Sequence, residues 1–262
     1  MRPDRSFLDR ALQVAQRAAD AAAAIVAPRY AAQDFSVTTK ADLTPVTEAD
    51  RDAETAIRAV LLDAFPEHAV FGEEAGRIGD SDLLWLVDPI DGTKSFVRGY
   101  PFFSTQIALM VEGEIVVGVS DACVYGERAW AVRGEGAFLN GKPIHVSSAE
   151  VFDHRVAISA GNIKSLAADA VRWQALSQLI QRVGRVRGYG DFLHYHLLAR
   201  GAIDLVIESD LNILDIAALS LIVEEAGGVF TELDGSAISL ATTSVLAGST
   251  SLHTQALNMF RA

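Results

Sequence analysis

Asp88 and Asp91 close the run Trp85-Leu86-Val87-Asp88-Pro89-Ile90-Asp91-Gly92-Thr93, whose residue types suit chemistry on an anion held by cations. Leu83 to Val87 is continuously apolar, the pattern of a buried strand. Such a strand delivers Asp88 to its C-terminal end, where α/β proteins tend to place ligand sites. Pro89 should stop the strand there, because it has no N–H to donate to a ladder. Asp91 follows on the same turn. Gly92 allows backbone to approach a ligand closely, and Thr93 can open a helix whose first N–H groups face an anion. Two carboxylates beside such a helix start make little sense without cations, and hard oxygen ligands select Mg²⁺ or Mn²⁺ over zinc. Turn and cap roles would account for a bare Asp-Pro or Asp-Gly, but not for the whole run after a buried strand.

Helices and strands flank this run on both sides. Residues 4–28 read as an amphipathic, Ala-rich helix ending near Pro28. A second helix is expected at about 48–65, with Thr47 as its cap, Asp50 at its third position in a capping-box arrangement, and Phe65-Pro66 closing it. Thr105 to Val111 and Ile115 to Val119 are strand-like and joined as a hairpin through Glu112-Gly113-Glu114. This half reads as helices on an antiparallel sheet. From about residue 151 strands and helices alternate: strand 156–159, helix 166–183, a short extended piece at 186–188, helix 190–200, strand 205–207 and helix 215–226 closed by Gly227-Gly228. Short strands near 229–231 and 244–247 and a helix at 251–260 complete an α/β layer. The expected division is therefore residues 1–150 and 151–262, packed closely, with no repeat or flexible linker between them.

Composition narrows the function. The 262 residues are half apolar, enough for a substantial core. The 34 acids outnumber 22 Lys and Arg, a formal charge of −12, which argues against a nucleic-acid binder with a basic face. Phosphate substrates stay open, because bound cations can reverse the sign locally. A single cysteine, Cys123, permits no intrachain disulfide and suits a reducing cytoplasm. Its apolar surroundings mark it as a small core residue. No apolar run approaches the roughly 20 residues needed to span a bilayer. Asp4, Asp9, Arg10, Arg17 and Asp20 make the N-terminus unlike a signal peptide.

Asp88-Pro89-Ile90-Asp91-Gly92-Thr93 resembles the signature of the inositol monophosphatase superfamily. The resemblance extends to Thr44-Pro45-Val46-Thr47-Glu48-Ala49-Asp50, to Gly72-Glu73-Glu74, and downstream to Asp215 and Glu224-Glu225-Ala226-Gly227-Gly228. It runs from about residue 40 to 230, in the family's order and spacing. It implies a layered αβαβα sandwich of mixed α+β and α/β character, with most metal ligands in the first half and the second half completing the metal and substrate site. Glu73, Asp88 and the Ile90 carbonyl would hold one Mg²⁺, and Asp88, Asp91 and Asp215 a second. Such ions, about 3.5–4 Å apart, stabilise both the attacking and leaving oxygens of an in-line displacement. Glu73 would also contact the nucleophilic water and a third, weaker ion. Thr93 would share that water while hydrogen-bonded to Asp50, and the N–H groups of Gly92 and Thr93 would bind phosphate. For Asp50 this competes with its role in the helix cap. Lys40 and Asp42 resemble a loop that closes over the metals, and the family suggests a homodimer.

The alcohol must be chosen elsewhere. Gly188-Tyr189-Gly190-Asp191, Lys94-Ser95-Phe96 and Glu208-Ser209-Asp210-Leu211 are similar to the family's histidinol-phosphate phosphatases. Asp191 and Glu208 would attract the cationic amine of histidinol phosphate, whereas an inositol offers neutral hydroxyls. Alternatively, Asp191 caps the helix at 192–200 and Glu208 is a strand-end charge. Leu214 stands where the family usually has an aromatic residue, which leaves the pocket lining open. His194 and His196 lie two apart on a helix, face different ways and take no catalytic role; His68 and His145 read as peripheral. The leading expectation is hydrolysis of histidinol phosphate in histidine biosynthesis. The rivals are an inositol or sugar phosphatase, a 3′-phosphoadenosine nucleotide phosphatase, for which no basic cluster is evident, and a non-catalytic regulatory module, which would not need the full set of acids.

Overall fold

A computed structural model describes residues 4–33, 35–39 and 45–261. Lys40, Asp42 and Thr44 lie outside the described residues. The N-terminal helix α1 (Arg5–Ala32) is capped by Asp4, whose carboxylate accepts from the Phe7 N–H. It passes through Pro28 rather than ending there. Proline deprives the helix of one internal hydrogen bond, but the final turn is docked. Tyr30 donates its hydroxyl to the Gly99 carbonyl and packs its ring 5.0 Å from that of Phe103. Strands β1 (Val37–Thr39) and β2 (Pro45–Thr47) form a small antiparallel pair that leads into helix α2 (Glu48–Ala64).

Next come β3 (Ala69–Gly72), β4 (Gly76–Ile78), β5 (Leu83–Asp91), the short helix α3 (Thr93–Val97), β6 (Ser104–Val111), β7 (Glu114–Ala122), β8 (Glu127–Val132), β9 (Ala137–Leu139) and β10 (Lys142–Ile144). The eight strands β3–β10 form one sheet in the order β10-β9-β8-β7-β6-β5-β3-β4. All its pairs are antiparallel except β3 with β5. The hairpin between β6 and β7 turns on Glu112 and Gly113, both at positive φ (50° and 86°), which matches the twist of the flanking strands.

The second half contributes β11 (Ala157–Gly161), α4 (Lys164–Ala168), α5 (Ala170–Ile180), β12 (Arg185–Arg187), α6 (Asp191–Ala199), β13 (Leu205–Ser209), α7 (Ile213–Glu225), β14 (Val229–Thr231), β15 (Ser244–Gly248) and α8 (Thr250–Arg261). Its five strands run in the order β12-β11-β13-β15-β14, with β11 parallel to both neighbours. The single helix expected over 166–183 is two, because Asp169 accepts hydrogen bonds from the Val171 and Arg172 N–H groups and starts a new helix.

Three apolar clusters stack these elements into the layers α, β, α, β, α. The strand period of two sends Trp85 and Val87 to the α1/α2 side of the first sheet, and Leu84 and Leu86 to the α6/α7 side. Val206, Val245 and Ala247 cover α6 and α7 from the second sheet. The opposite face of that sheet, including Leu205, Ile207 and Leu246, packs against α4, α5 and α8. His68 is not peripheral. It is buried and stacked 4.5 Å from Phe65, and burial lowers its pKa. Cys123 is half-buried against the α1/α2 cluster, and burial pushes its thiol to about 11.

Candidate active site

Strand β5 does not stop at Pro89. It continues to Asp91 through a bulge: Asp88 pairs with Gln106 and Asp91 with Ser104, so three steps on β5 match two on β6. In a regular strand Asp88 and Asp91 would point to opposite faces. The extra residue sends both toward α7, while Ile90 turns into the α1/α2 cluster. Pro89 is tolerated because a bulge does not demand its missing N–H. The Thr105 hydroxyl holds the bulge by donating to the Pro89 carbonyl at 2.9 Å.

Asp215 approaches from the α7 side. It lies in the first turn, where its carboxylate accepts the Asn212 N–H at 2.9 Å and closes a capping box, so α7 begins at Ile213 rather than at Asp215. One oxygen each from Asp88, Asp91 and Asp215 lies within 4.8 Å of the others. Glu73, in the turn after β3, adds its charge beside them. Burial, then the charges of Glu73, Asp91 and Asp215, raise the Asp88 pKa well above the usual carboxylate range. Burial and Asp191, Asp215, Glu208 and Glu73 do the same to Asp91. Asp215 is pushed to about 7, chiefly by burial. Acids that oppose one another so closely, with only oxygen to offer, fit hard divalent cations that would offset their repulsion.

Asp50 bonds to the helix cap and to the Thr93 hydroxyl at once. Its Oδ2 accepts the Thr47 N–H at 2.8 Å and the Thr47 hydroxyl at 2.6 Å, closing the α2 cap. Its Oδ1 lies 3.2 Å from Thr93 Oγ1, which is also 3.0 Å from the Ile90 carbonyl. Burial, ahead of the charge of Glu73, raises the Asp50 pKa. Gly92 precedes Thr93 at φ +90°, a conformation open to glycine. A Cβ there would lie 2.7 Å from the Phe102 carbonyl and 3.3 Å from the Asp191 carboxyl carbon.

Asp191 and Glu208 line the same cleft as Asp91 and Asp215, with Asn162 and Leu211 completing its wall. Asp191 opens α6 with no side-chain cap bond at that helix end; its Oδ2 accepts from the Ser95 hydroxyl at 3.3 Å. Burial and Glu208 push it to about 6. Glu208 is buried, and its Oε2 is bound by the Tyr195 hydroxyl at 2.6 Å and by His194 Nε2 at 3.0 Å. Asn162 Nδ2 reaches its Oε1 at 3.3 Å. His194 and His196 do face different ways, the latter toward Ser120 and Glu127. Leu214 packs in the α6/α7 core and leaves the apolar wall to Leu211, Ile216 and Leu219. Asn162 and Tyr195, which contact Glu208 beside the cleft, carry no signal in the sequence. Ser95, which meets Asp191, stands in the Lys94-Ser95-Phe96 segment whose resemblance the sequence does carry.

The model of the inositol monophosphatase family matches residues 8–261. A protein named histidinol-phosphatase from Mycobacterium tuberculosis is 42% identical over 229 residues, which is 86% of this chain and 88% of that one. Among solved structures, the extragenic suppressor protein SuhB of Bartonella henselae superposes with a TM-score of 0.86 at 30% identity, covering 95% of this chain and 97% of its own. An inositol monophosphatase of Zymomonas mobilis superposes at 0.85 with 32% identity, covering 98% of this chain and 100% of its own. With that match over nearly its whole length and an acidic cluster at the end of β5, the chain belongs to the inositol monophosphatase family of phosphoric monoester hydrolases, similar to its histidinol-phosphatase branch.

Proposed function

We propose that the protein hydrolyses histidinol phosphate to histidinol and inorganic phosphate in the presence of Mg²⁺. The observation that carries this reading is the placing of Asp191 and Glu208 in one cleft with Asp91 and Asp215. Glu73, Asp88, the Ile90 carbonyl, Asp91 and Asp215 would hold two or three Mg²⁺ ions, with Mn²⁺ a fitting substitute. Bound there, such ions acidify a water and neutralise phosphoryl oxygens.

The chain's own groups then divide the work. Glu73 faces the attacking water and accepts its proton. Thr93 shares that water: its hydroxyl donates to Asp50 or to the Ile90 carbonyl, which leaves its lone pairs free to accept from the water and fix its direction. Asp50 thereby orients the Thr93 hydroxyl. The N–H groups of Gly92 and Thr93 bind phosphate oxygens. Attack of the water oxygen on phosphorus breaks the bond to the histidinol oxygen, which takes up a proton from a second water and leaves as the alcohol.

Asp191 and Glu208 select the alcohol. A carboxylate facing the substrate ammonium forms a charge-assisted hydrogen bond that a neutral inositol hydroxyl cannot match. The similarity to a protein named histidinol-phosphatase supports the same choice. Release of inorganic phosphate from histidinol phosphate in Mg²⁺, lost on chelation, tests the proposal; no release would overturn it. The Zymomonas mobilis likeness supports a second reading, in which a cyclitol phosphate occupies the cleft and its hydroxyls meet Glu208.

A further inference from the structure

We propose that Glu54 is a positioning residue that sets the place of Glu73 in the metal site, an inference that rests on the metal reading above. Glu54 is one turn beyond Asp50 on α2, so the two project from the same helix face. Asp50 reaches Thr93. Glu54 reaches the turn that carries Glu73. Its Oε2 accepts the Glu74 N–H at 2.7 Å, and its Oε1 accepts the Ala75 N–H at 3.0 Å. These are the two amides directly after Glu73. On the other side, the Glu73 N–H donates to the Val87 carbonyl at 3.2 Å, one residue before Asp88. The Glu73 backbone is therefore tied to β5 in front and to α2 behind.

The carboxylate of Glu54 is built into this place. Its residue is only 2% exposed, and its charge is met by Arg58 Nε at 2.8 Å. Arg58 in turn donates to the Gly76 carbonyl at the far end of the same turn. A Cβ on Gly72 would lie 2.5 Å from the Glu54 carboxyl carbon, so glycine at 72 lets the turn sit directly on the carboxylate. A buried carboxylate with three donors around it costs heavily when one donor is left without an acceptor. Helix α2 thus aligns two groups on the water: Thr93 through Asp50 and Glu73 through Glu54.

Glu54→Gln keeps the volume but has one acceptor oxygen where there were two, so an amide of residue 74 or 75 loses its partner and the turn shifts. The test is Mn²⁺ binding to the full chain, measured by calorimetry in wild type and Glu54→Gln, beside steady-state kinetics and melting in chelator. Positioning predicts Mn²⁺ affinity weaker by about tenfold or more, with kcat reduced and KM within about twofold. A merely structural role predicts a lower melting temperature with Mn²⁺ affinity and kcat unchanged, and that result would overturn the inference. Gly72→Ala tests it independently if Glu54→Gln does not fold: its Cβ would lie 2.5 Å from the Glu54 carboxyl carbon and Oε1, so it displaces the carboxylate from the turn without changing Glu54 itself, and it should weaken Mn²⁺ binding in the same sense. Wild type that binds no Mn²⁺ would defeat the metal reading and this inference with it. Wild type that binds while both variants bind equally well would defeat this inference alone.

Discussion

Thr93 Oγ1 lies 3.2 Å from Asp50 Oδ1, while Asp50 Oδ2 closes the cap of α2 through Thr47. One carboxylate thereby joins a helix terminus to the proposed catalytic hydroxyl, and removing either partner should have different consequences. Thr93→Val leaves the cap intact, so melting should change little while kcat falls by about a hundredfold or more. Asp50→Ala should lower kcat and also destabilise the chain by about 1 kcal/mol through the lost cap. Equal losses of stability in the two variants would separate Thr93 from this arrangement.

In the metal-free protein Asp191 and Asp215 should favour the folded state more in mild acid than at neutral pH. Asp191 titrates at about 6 and Asp215 at about 7, both above the 3.8 of an unperturbed aspartate. Between roughly pH 4 and 7 these two carboxyls therefore hold more protons in the folded chain than in the unfolded one, and their contribution to stability falls as pH rises through that window, against the opposite contribution of His68, His196 and His253, whose pKa burial lowers. Saturating Mg²⁺ should reverse the trend by stabilising the ionised carboxylates. Melting curves across this range, with chelator and with Mg²⁺, check both signs.

Asp91→Asn should separate stability from activity. Burial and the neighbouring Asp191, Asp215, Glu208 and Glu73 all oppose the Asp91 charge. Its removal should raise the melting temperature in chelator, yet reduce turnover by about a hundredfold or more in Mg²⁺. Turnover near that of wild type would take Asp91 out of the mechanism.

The acidic pair on β5 was legible because an apolar run ending in Asp88-Pro89-Ile90-Asp91-Gly92-Thr93 has few other uses. The bulge that turns both acids to one face was not: it depends on register against Ser104 and Gln106, a pairing that local pattern does not encode. The continuation of α1 past Pro28 likewise depends on contacts of Tyr30 with distant residues. Glu54 escaped notice for a related reason. Spaced four residues from Arg58 on a helix, it reads as an ordinary solvated pair until β3 and its turn cover it. The two roles of Asp50 competed in the sequence because only a fold can show the two oxygens of a carboxylate serving different partners.

Asp191→Ala should change substrate preference more than stability. Its carboxylate bonds to Ser95 rather than capping α6. Loss of a charge-assisted hydrogen bond to the substrate ammonium would be worth roughly 1.5–3 kcal/mol, or about a tenfold to hundredfold loss in kcat/KM for histidinol phosphate. Inositol 1-phosphate should lose far less. A fall of equal size for both substrates, accompanied by a lower melting temperature, would instead mark Asp191 as structural.

The proposed substrate is tested most directly by kcat/KM of the wild-type protein for histidinol phosphate and for inositol 1-phosphate, measured side by side in Mg²⁺. Two carboxylates in the cleft beside the metal-binding acids predict a clear preference for the cationic substrate. Equal constants, or a preference for inositol 1-phosphate, would contradict the assignment of Asp191 and Glu208 to the substrate amine.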